Sequence, residues 1–437
     1  MSKIFSLFTC LKNTIFARLY LAQTINLVGD ALTWLGLALL AFEIAGEQSG
    51  QILAGALTLR VTAYVILSPI AGVIADRFDR KKIMVITHLM RMAIVSFFPF
   101  VNQAWQIYGI VLGLNIFAAF FTPTYTATIP LVTGEREYPQ AIALSSATYQ
   151  LLGVLGPGLA GSMAAFVGTR SIFFLDGATF FIAAILLMTL PVQLLVNHEK
   201  PSQKTLHKTL EDIKAGSLCL WADPQIRYAL LMQLVAAIAG AEVLVNTVSY
   251  VQGSLSLGKV EYGWVMAAFG MGATLTSVGI SYLQNHFQKM TLVTIGASLI
   301  TLALVPASFV GFQSLLLLWL LAGIGQTLVN VPTQTLIADR VAVEVQGRVY
   351  GAHFAWSHFW WAFAYPLAGW LGTHSNSAFL LSSILGSIGL VCFVLTVRPT
   401  LITQGLWHEH DHHHDQSHDH HSKFYGVNYE HSHLHFH

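Results

Sequence analysis

Charge is scarce in this 437-residue sequence: Asp, Glu, Lys and Arg make up 10% of it, where a soluble domain carries roughly a quarter. A water-soluble enzyme is excluded on that ground. Cysteine is nearly missing as well. Cys10, Cys219 and Cys392 are far apart and form no C-x-x-C pair, so neither a disulfide framework nor a thiolate metal site is suggested. No complete nucleotide motif is present. The segment Gly253 to Val260 falls one residue short of the phosphate-cradling G-x-x-x-x-G-K-S/T. Val260 lacks the hydroxyl that holds magnesium, and no strand precedes it, so ATP is not expected as a partner and energy must come from an ion gradient. Gly156, Gly158 and Gly161 formally match G-x-G-x-x-G, yet they sit in a long apolar helix without the βαβ unit a dinucleotide needs. The 22 basic and 21 acidic residues balance, and no nucleic-acid partner is expected.

What the chain does have is apolar length. Hydrophobic residues make up 54% of it, and the mean hydropathy is +0.61. Runs near 20 residues recur, each long enough to cross a hydrocarbon core of about 30 Å. Twelve spans are predicted, beginning near Leu19, Ile52, Ile83, Trp105, Ala141, Ser171, Tyr228, Tyr262, Thr291, Ser314, Val349 and Ser377. The first run is too long for a signal-peptide core and reads as a retained span. The longest polar interruption before the tail divides the spans six and six. The expected organisation is therefore a first six-helix bundle over 1–196, a cytoplasmic linker over 197–226, a second bundle over 227–398 and a tail over 399–437. With both termini inside, 18 of the 22 Lys and Arg residues fall on cytoplasmic segments, which sets the orientation by the positive-inside rule.

The halves repeat at an offset of 209 residues: Arg18 with Arg227, Phe78 with Phe287, Pro123, Thr124 and Thr126 with Pro332, Thr333 and Thr335, and Pro157 with Pro366. A duplicated six-helix unit is the reading, because transporter folds are often built from internal repeats.

The loop after span two supplies the first specific motif, with Gly72, Asp76, Arg77, Phe78, Asp79, Arg80, Lys81 and Lys82 in order. This G-x-x-x-D-R run followed by basic residues resembles the loop signature of the major facilitator superfamily. The resemblance implies an all-α membrane protein of two pseudosymmetric six-helix bundles around a central cavity. It also implies a gating role for the loop, with Asp76 and Arg77 pairing charges and capping helices between the bundles. Asp79 stands where the superfamily usually has Gly, a variant similar to the branch of siderophore and macrolide exporters. In the second half, the loop Asn285 to Lys289 has lost the acid. Gly153, Gly156, Pro157, Gly158 and Gly161 in span five resemble the superfamily's antiporter signature, except that Leu152 and Ala160 replace glycines. Small residues there equally permit plain close packing.

Ionisable groups within spans are costly and mark function. Asp30 shares a helical face with Gln23 and Asn26, and Glu242 shares one with Asn246 and Ser249. In the superfamily both helices line the cavity, so Asp30 and Glu242 are candidates to couple a proton or contact a cation. The alternative is that each carboxyl only bonds a neighbouring helix. His353 and His358 in span eleven lie about 140° apart on a regular helix and would act singly. His88, Arg91, Arg60 and Asp176 carry a weaker signal.

From Trp407 onward the chain holds His408, His410, His412, His413, His414, His418, His420, His421, His431, His433, His435 and His437, which is 12 of 19 histidines in 31 residues. Acidic residues are interleaved, unlike the continuous run of a purification tag. Imidazole and carboxylate together suit Ni(II), Co(II), Zn(II) or Cu(II), and a run this polar is expected to be disordered without metal. A facilitator core ending in such a tail resembles the bacterial nickel-resistance exporters. That resemblance implies a monomeric exporter of a divalent metal, Ni(II) before Co(II) or Zn(II), exchanging it for protons across the bacterial inner membrane with no required cofactor. The alternatives are export of a siderophore, macrolide or other organic solute with a metal-responsive tail, and a membrane-anchored metal buffer or sensor.

Overall fold

The computed structural model describes residues 8–190, 206–375, 377–396, 407–413 and 430–436. The first helix, α1 (Thr14–Ala45), starts where the Asn13 side chain accepts hydrogen bonds from the Ile15 and Phe16 amides at 3.1 and 3.2 Å. Such a cap satisfies amides that no helical carbonyl can reach. It ends at Gly46, whose φ of 54° favours a residue without Cβ. Next come α2 (Ser49–Arg77) and α3 (Arg80–Val95). Element α4 (Ala104–Val167) is 64 residues long and is broken at Gly134, with φ 64° and ψ 175°. That one residue divides it into two span-length arms. α5 (Ile172–Met188) completes the first bundle.

A helix within the linker, α6 (Leu206–Ala222), precedes α7 (Pro224–Ser249), which opens on Pro at the position where a missing N–H costs nothing. The second bundle continues with α8 (Lys259–His286), α9 (Lys289–Ala303), α10 (Phe312–Arg340), α11 (Val343–His374) and α12 (Ala378–Thr396). Counting the two arms of α4 separately and leaving out α6, the described residues give twelve spans. Most begin within a few residues of the predicted positions. The fifth runs directly from Gly134, several residues ahead of the expected Ala141.

The bundles meet along two seams, α2 against α11 and the second arm of α4 against α8. These are spans two with eleven and five with eight, pairs that the repeat interchanges. Glycine makes the second seam possible. A Cβ on Gly270 would lie 2.4 Å from the Gly153 carbonyl oxygen, one on Gly263 2.7 Å from that of Pro157, and one on Gly161 2.7 Å from that of Lys259. Such close approach of backbones is how helices associate where no water drives them together. Large apolar side chains such as Phe166, Val278 and Leu395 are 93, 81 and 75% exposed, as a lipid-facing surface requires.

The tail departs from expectation. Strands β1 (Trp407–His413) and β2 (Glu430–Phe436) pair antiparallel, where an unstructured tail was expected. The reason lies in the alternation of His with other residues in both segments, a period of two that fits a strand. His414, His418, His420, His421 and His437 lie outside the described residues.

Candidate functional site

A cavity of about 660 Å³ is lined by Gln23, Asn26, Asp30 and Trp34 of α1, Arg60 and Tyr64 of α2, Arg91 of α3, and Asn115, Phe121 and Tyr125 of α4. Ser145 and Tyr149 of the second arm of α4, Asp176 and Phe180 of α5, and Phe354 and His358 of α11 also line it. It therefore belongs mainly to the first bundle. Beyond Trp34, α1 is buried without interruption from Leu35 to Ala41, within a core that includes Phe98, Phe173, Val248 and Tyr262. The cavity thus ends at an apolar plug on the side away from Thr14.

The polar stripe on α1 is organised by Arg91, which donates to Asp30 in an ion pair and to Asn26 Oδ1 at 2.9 Å. Asn26 in turn donates to Asp30 Oδ2 at 3.2 Å. The guanidinium also lies 4.1 Å from the Phe180 ring centroid, a cation–π contact strengthened by exclusion of water. Behind this pair, Asp176 is fully buried and accepts hydrogen bonds from the hydroxyls of Thr33 and Thr179. Among the described residues no Lys or Arg pairs with it. A second cation, Arg60, sits 4.2 Å over the Trp34 ring, and among the described residues no carboxylate pairs with it. Of the two arginines in the wall, Arg91 is therefore neutralised by an acid, while Arg60 lies against an aromatic face. His358 Nδ1 donates to the Phe354 carbonyl at 2.8 Å, which leaves Nε2 with the lone pair.

The second polar stripe does not reach this cavity. Glu242 is fully buried, accepting from Ser382 Oγ at 2.8 Å and from Asn246 Nδ2 at 2.7 Å. Asn246 also donates to the Ala368 carbonyl at 2.8 Å. The expectation that both stripes line one cavity is corrected: helical spacing shows which residues share a face, and here that face turns toward α11 and α12. His353 is likewise buried and hydrogen-bonded to Gln233 Oε1 at 3.1 Å, apart from His358. Among the residues whose side chains are described, no three His, Cys, Asp or Glu gather to hold a metal ion. Cys219 adds no thiolate, since burial, with the charge of Asp223 second, pushes its thiol up to about 12.

In the gating-type loop, the surroundings of Gly72 and the side chains of Asp76 and Arg77 lie outside what is described. Asp79 caps α3, accepting from the amides of Lys81 and Lys82 at 2.8 and 3.3 Å. An acid in place of the usual Gly thus gains a helix N-terminus to bind. Arg80 donates to the Ala127 carbonyl at 2.6 Å, and Lys81 to that of Leu190 at 2.5 Å, tying the loop to α4 and to the end of α5.

Sequence reasoning missed a second lock. Asp223 caps α7 and pairs with Arg340 at the end of α10 at 2.7 Å, with the carboxylate side chain wholly buried. Its counterpart in the first half is neutral, Asn13 donating to the Val132 carbonyl at 2.7 Å. Asp339 beside it pairs with Lys289. The signal was present, because Ile337 to Arg340 repeats the four letters of Ile74 to Arg77.

Comparison with known proteins agrees with this architecture. The Major Facilitator Superfamily model matches residues 19–252 and 229–411. An uncharacterized MFS-type transporter, YfiS of Bacillus subtilis (strain 168), is 29% identical over 346 residues, covering 76% of this chain and 80% of its own. The enterobactin exporter EntS of Shigella boydii serotype 18 is 25% identical over 345 residues, again 76% and 80%. Among solved structures, the nucleoside transporter NupG superposes with a TM-score of 0.70 at 12% identity, covering 87% of this chain and 98% of that one.

Proposed function

Because the chain belongs to the Major Facilitator Superfamily, and is a secondary transporter rather than an enzyme, we propose that it exports a divalent transition metal from a bacterial cytoplasm. Ni(II) is the first candidate, then Co(II) or Zn(II). The observation that carries this reading is the tail, with twelve histidines interleaved with acids directly after the last span. Neutral imidazole is a ligand of choice for these ions, and the nearby carboxylates offset part of their charge. Placing both termini in the cytoplasm puts the tail where it collects ions before export, in the inner membrane.

Coupling to protons is assigned to Asp30. A carboxyl that lines the cavity and is held by one cation changes charge by releasing that cation and taking a proton, and the same exchange frees Arg91. Glu242, away from the cavity and bonded to two neighbours, is assigned to packing of the second bundle. With no three-ligand cluster in the described side chains, the ion is read as crossing with part of its coordination shell still on it.

A second reading is favoured by one specific feature of the cavity. An arginine with no carboxylate partner among the described residues, Arg60 over Trp34, in a cavity also lined by Tyr64, Tyr125, Phe121 and Phe180, suits an aromatic organic anion, and the enterobactin exporter is a relative. Growth of cells with and without the gene on graded Ni(II), Co(II) and Zn(II), beside a panel of drugs and siderophores, separates the two. Raised tolerance to Ni(II) is the expected result. Unchanged metal tolerance with raised tolerance to, or release of, an organic compound would replace the metal reading by the second.

A further inference from the structure

Asp176 of α5 has no exposed surface, yet it lies against the stripe of α1 that carries Asp30. Asn26, Gly29, Asp30 and Thr33 share one face of that helix. Thr33 donates to Asp176 Oδ2, and a Cβ on Gly29 would overlap both Asp176 Oδ1 and Thr179 Oγ1. A glycine next to Asp30 is therefore what admits a second carboxyl to this face. Arg91 stands over the same part of α5. Its guanidinium pairs with Asp30 and lies 4.1 Å from the Phe180 ring centroid, one helical turn along from Asp176. Arg91 Nε is buried and has no hydrogen-bond partner among the described residues.

One guanidinium neutralises one carboxylate. With Asp30 ionised and holding Arg91, an ionised Asp176 would be an uncompensated charge inside the bilayer, which is costly. Its hydroxyl donors do not offset that. The Thr179 hydroxyl has one hydrogen to give, and it lies 3.1 Å from Asp176 Oδ1 but 2.8 Å from the Asp176 main-chain carbonyl. The titratable neighbours on the packed elements add no second cation. On α3, His88 stands edge-on to Phe180 with Nδ1 bonded to the Met84 carbonyl at 2.9 Å, and its buried Nε2, unpartnered among the described residues, fits a neutral ring. On α4 the titratable residues lining the cavity are Tyr125 and Tyr149, and the turn Phe98–Phe100 has none. We propose that Asp30, Asp176 and Arg91 form one proton relay, in which the two carboxyls share a single proton and a single guanidinium. The proposal rests on the assignment of coupling to Asp30 and adds the group that passes the proton on. When an O–H bond forms on Asp30, Arg91 is released and turns to Asp176, bringing its spare Nε–H. The Asp176 O–H bond then breaks, and its proton leaves by way of the Thr33 hydroxyl, a donor and acceptor that lines the cavity. One proton enters, one leaves, and the set is neutral before and after.

Infrared difference spectroscopy of the detergent-purified full-length chain at neutral pH tests the relay with no solute present, so its outcome does not depend on what is exported. A Glu242→Gln background removes the contribution of the buried carboxyl in the second bundle. The expected spectrum contains a carboxylic-acid C=O band that Asp176→Asn removes. Asp30→Asn is expected to remove the same band, because Asp176 then ionises against Arg91. Asp30→Glu, which keeps an acid for Arg91, is expected to keep it, and Asp30→Asn with Arg91→Gln, which takes away the cation as well, is expected to restore it. An acid with only a structural role would keep its band in Asp30→Asn. That result, or a spectrum unchanged by Asp176→Asn, would overturn the relay. Failure of the underlying coupling assignment reads differently, as pH-driven transport that survives Asp30→Asn, and would leave the shared proton without a task.

Discussion

The glycine seam between α4 and α8 makes a prediction whose size follows from distances. Ordinary contact between a Cβ and another heavy atom begins near 3.4 Å, and the Cβ of Gly270→Ala would sit 2.4 Å from the Gly153 carbonyl oxygen. The helices must part by about 1 Å to admit it. Gly161→Ala, with 2.7 Å to the Lys259 carbonyl oxygen, demands somewhat less. Overpacking of this kind costs about 1–3 kcal/mol. The cost falls only on the conformer in which the seam is closed, so the equilibrium should move toward an opened seam by about 5- to 150-fold. Gly153→Ala is the internal control, because a Cβ there meets nothing within 4 Å. In a background without native cysteines, a cysteine replacing Leu39, 2% exposed in the apolar plug, reports opening through its rate of reaction with an impermeant thiol reagent. Gly270→Ala and Gly161→Ala should accelerate labelling and Gly153→Ala should not. Equal rates for Gly270→Ala and Gly153→Ala would refute the claim that backbone contact at this seam holds the plug shut.

Three further outcomes are expected. Asp30→Asn, which cannot change charge, should abolish transport driven by a pH gradient at matched protein levels, whereas Glu242→Gln should retain transport and lose about 1–3 kcal/mol of stability through one unmatched hydrogen bond; the opposite pattern in a vesicle flux assay would reassign the coupling carboxyl. Arg340→Ala removes the ion pair with the buried Asp223 carboxylate and should lower stability by up to about 3–5 kcal/mol, read as a lowered thermal transition in detergent; an unchanged transition would show that the pair carries no stability. Cys219, its thiol held protonated by burial up to about 12, should resist maleimide at pH 7–8 in the folded protein and react only after unfolding; rapid labelling of the native chain would contradict its environment.

The spans and the duplication were legible because each depends on local pattern: apolar length and a fixed offset. Asp79 followed by Arg80 already has the form of a helix cap. The partnership of Arg91 with Asp30 was not legible, since no periodicity connects α3 to α1. The direction of the Glu242 stripe was hidden for a related reason. A helical face with Glu242 and Asn246 is visible in the sequence, but whether it turns to a cavity or to α12 depends on how the bundle is rotated about it. Gly134 opens the polar stretch Glu135, Arg136, Glu137 that separates spans four and five in the sequence, but that helix would resume directly after a single glycine of positive φ could not be read from that polarity. In the tail the alternation of His was on view, while the antiparallel pairing of β1 with β2 joins residues far apart in sequence.

The most direct test of the central claim is Ni(II) flux in proteoliposomes that hold the purified full-length protein and a metal-sensitive dye, with a pH gradient imposed in either direction. Ni(II) movement opposite to the proton gradient, saturable and lost in Asp30→Asn, is the expected result. Protein that leaves Ni(II) flux at the level of empty liposomes under both gradients, yet moves an aromatic anion, would contradict metal export and leave the cavity to an organic substrate.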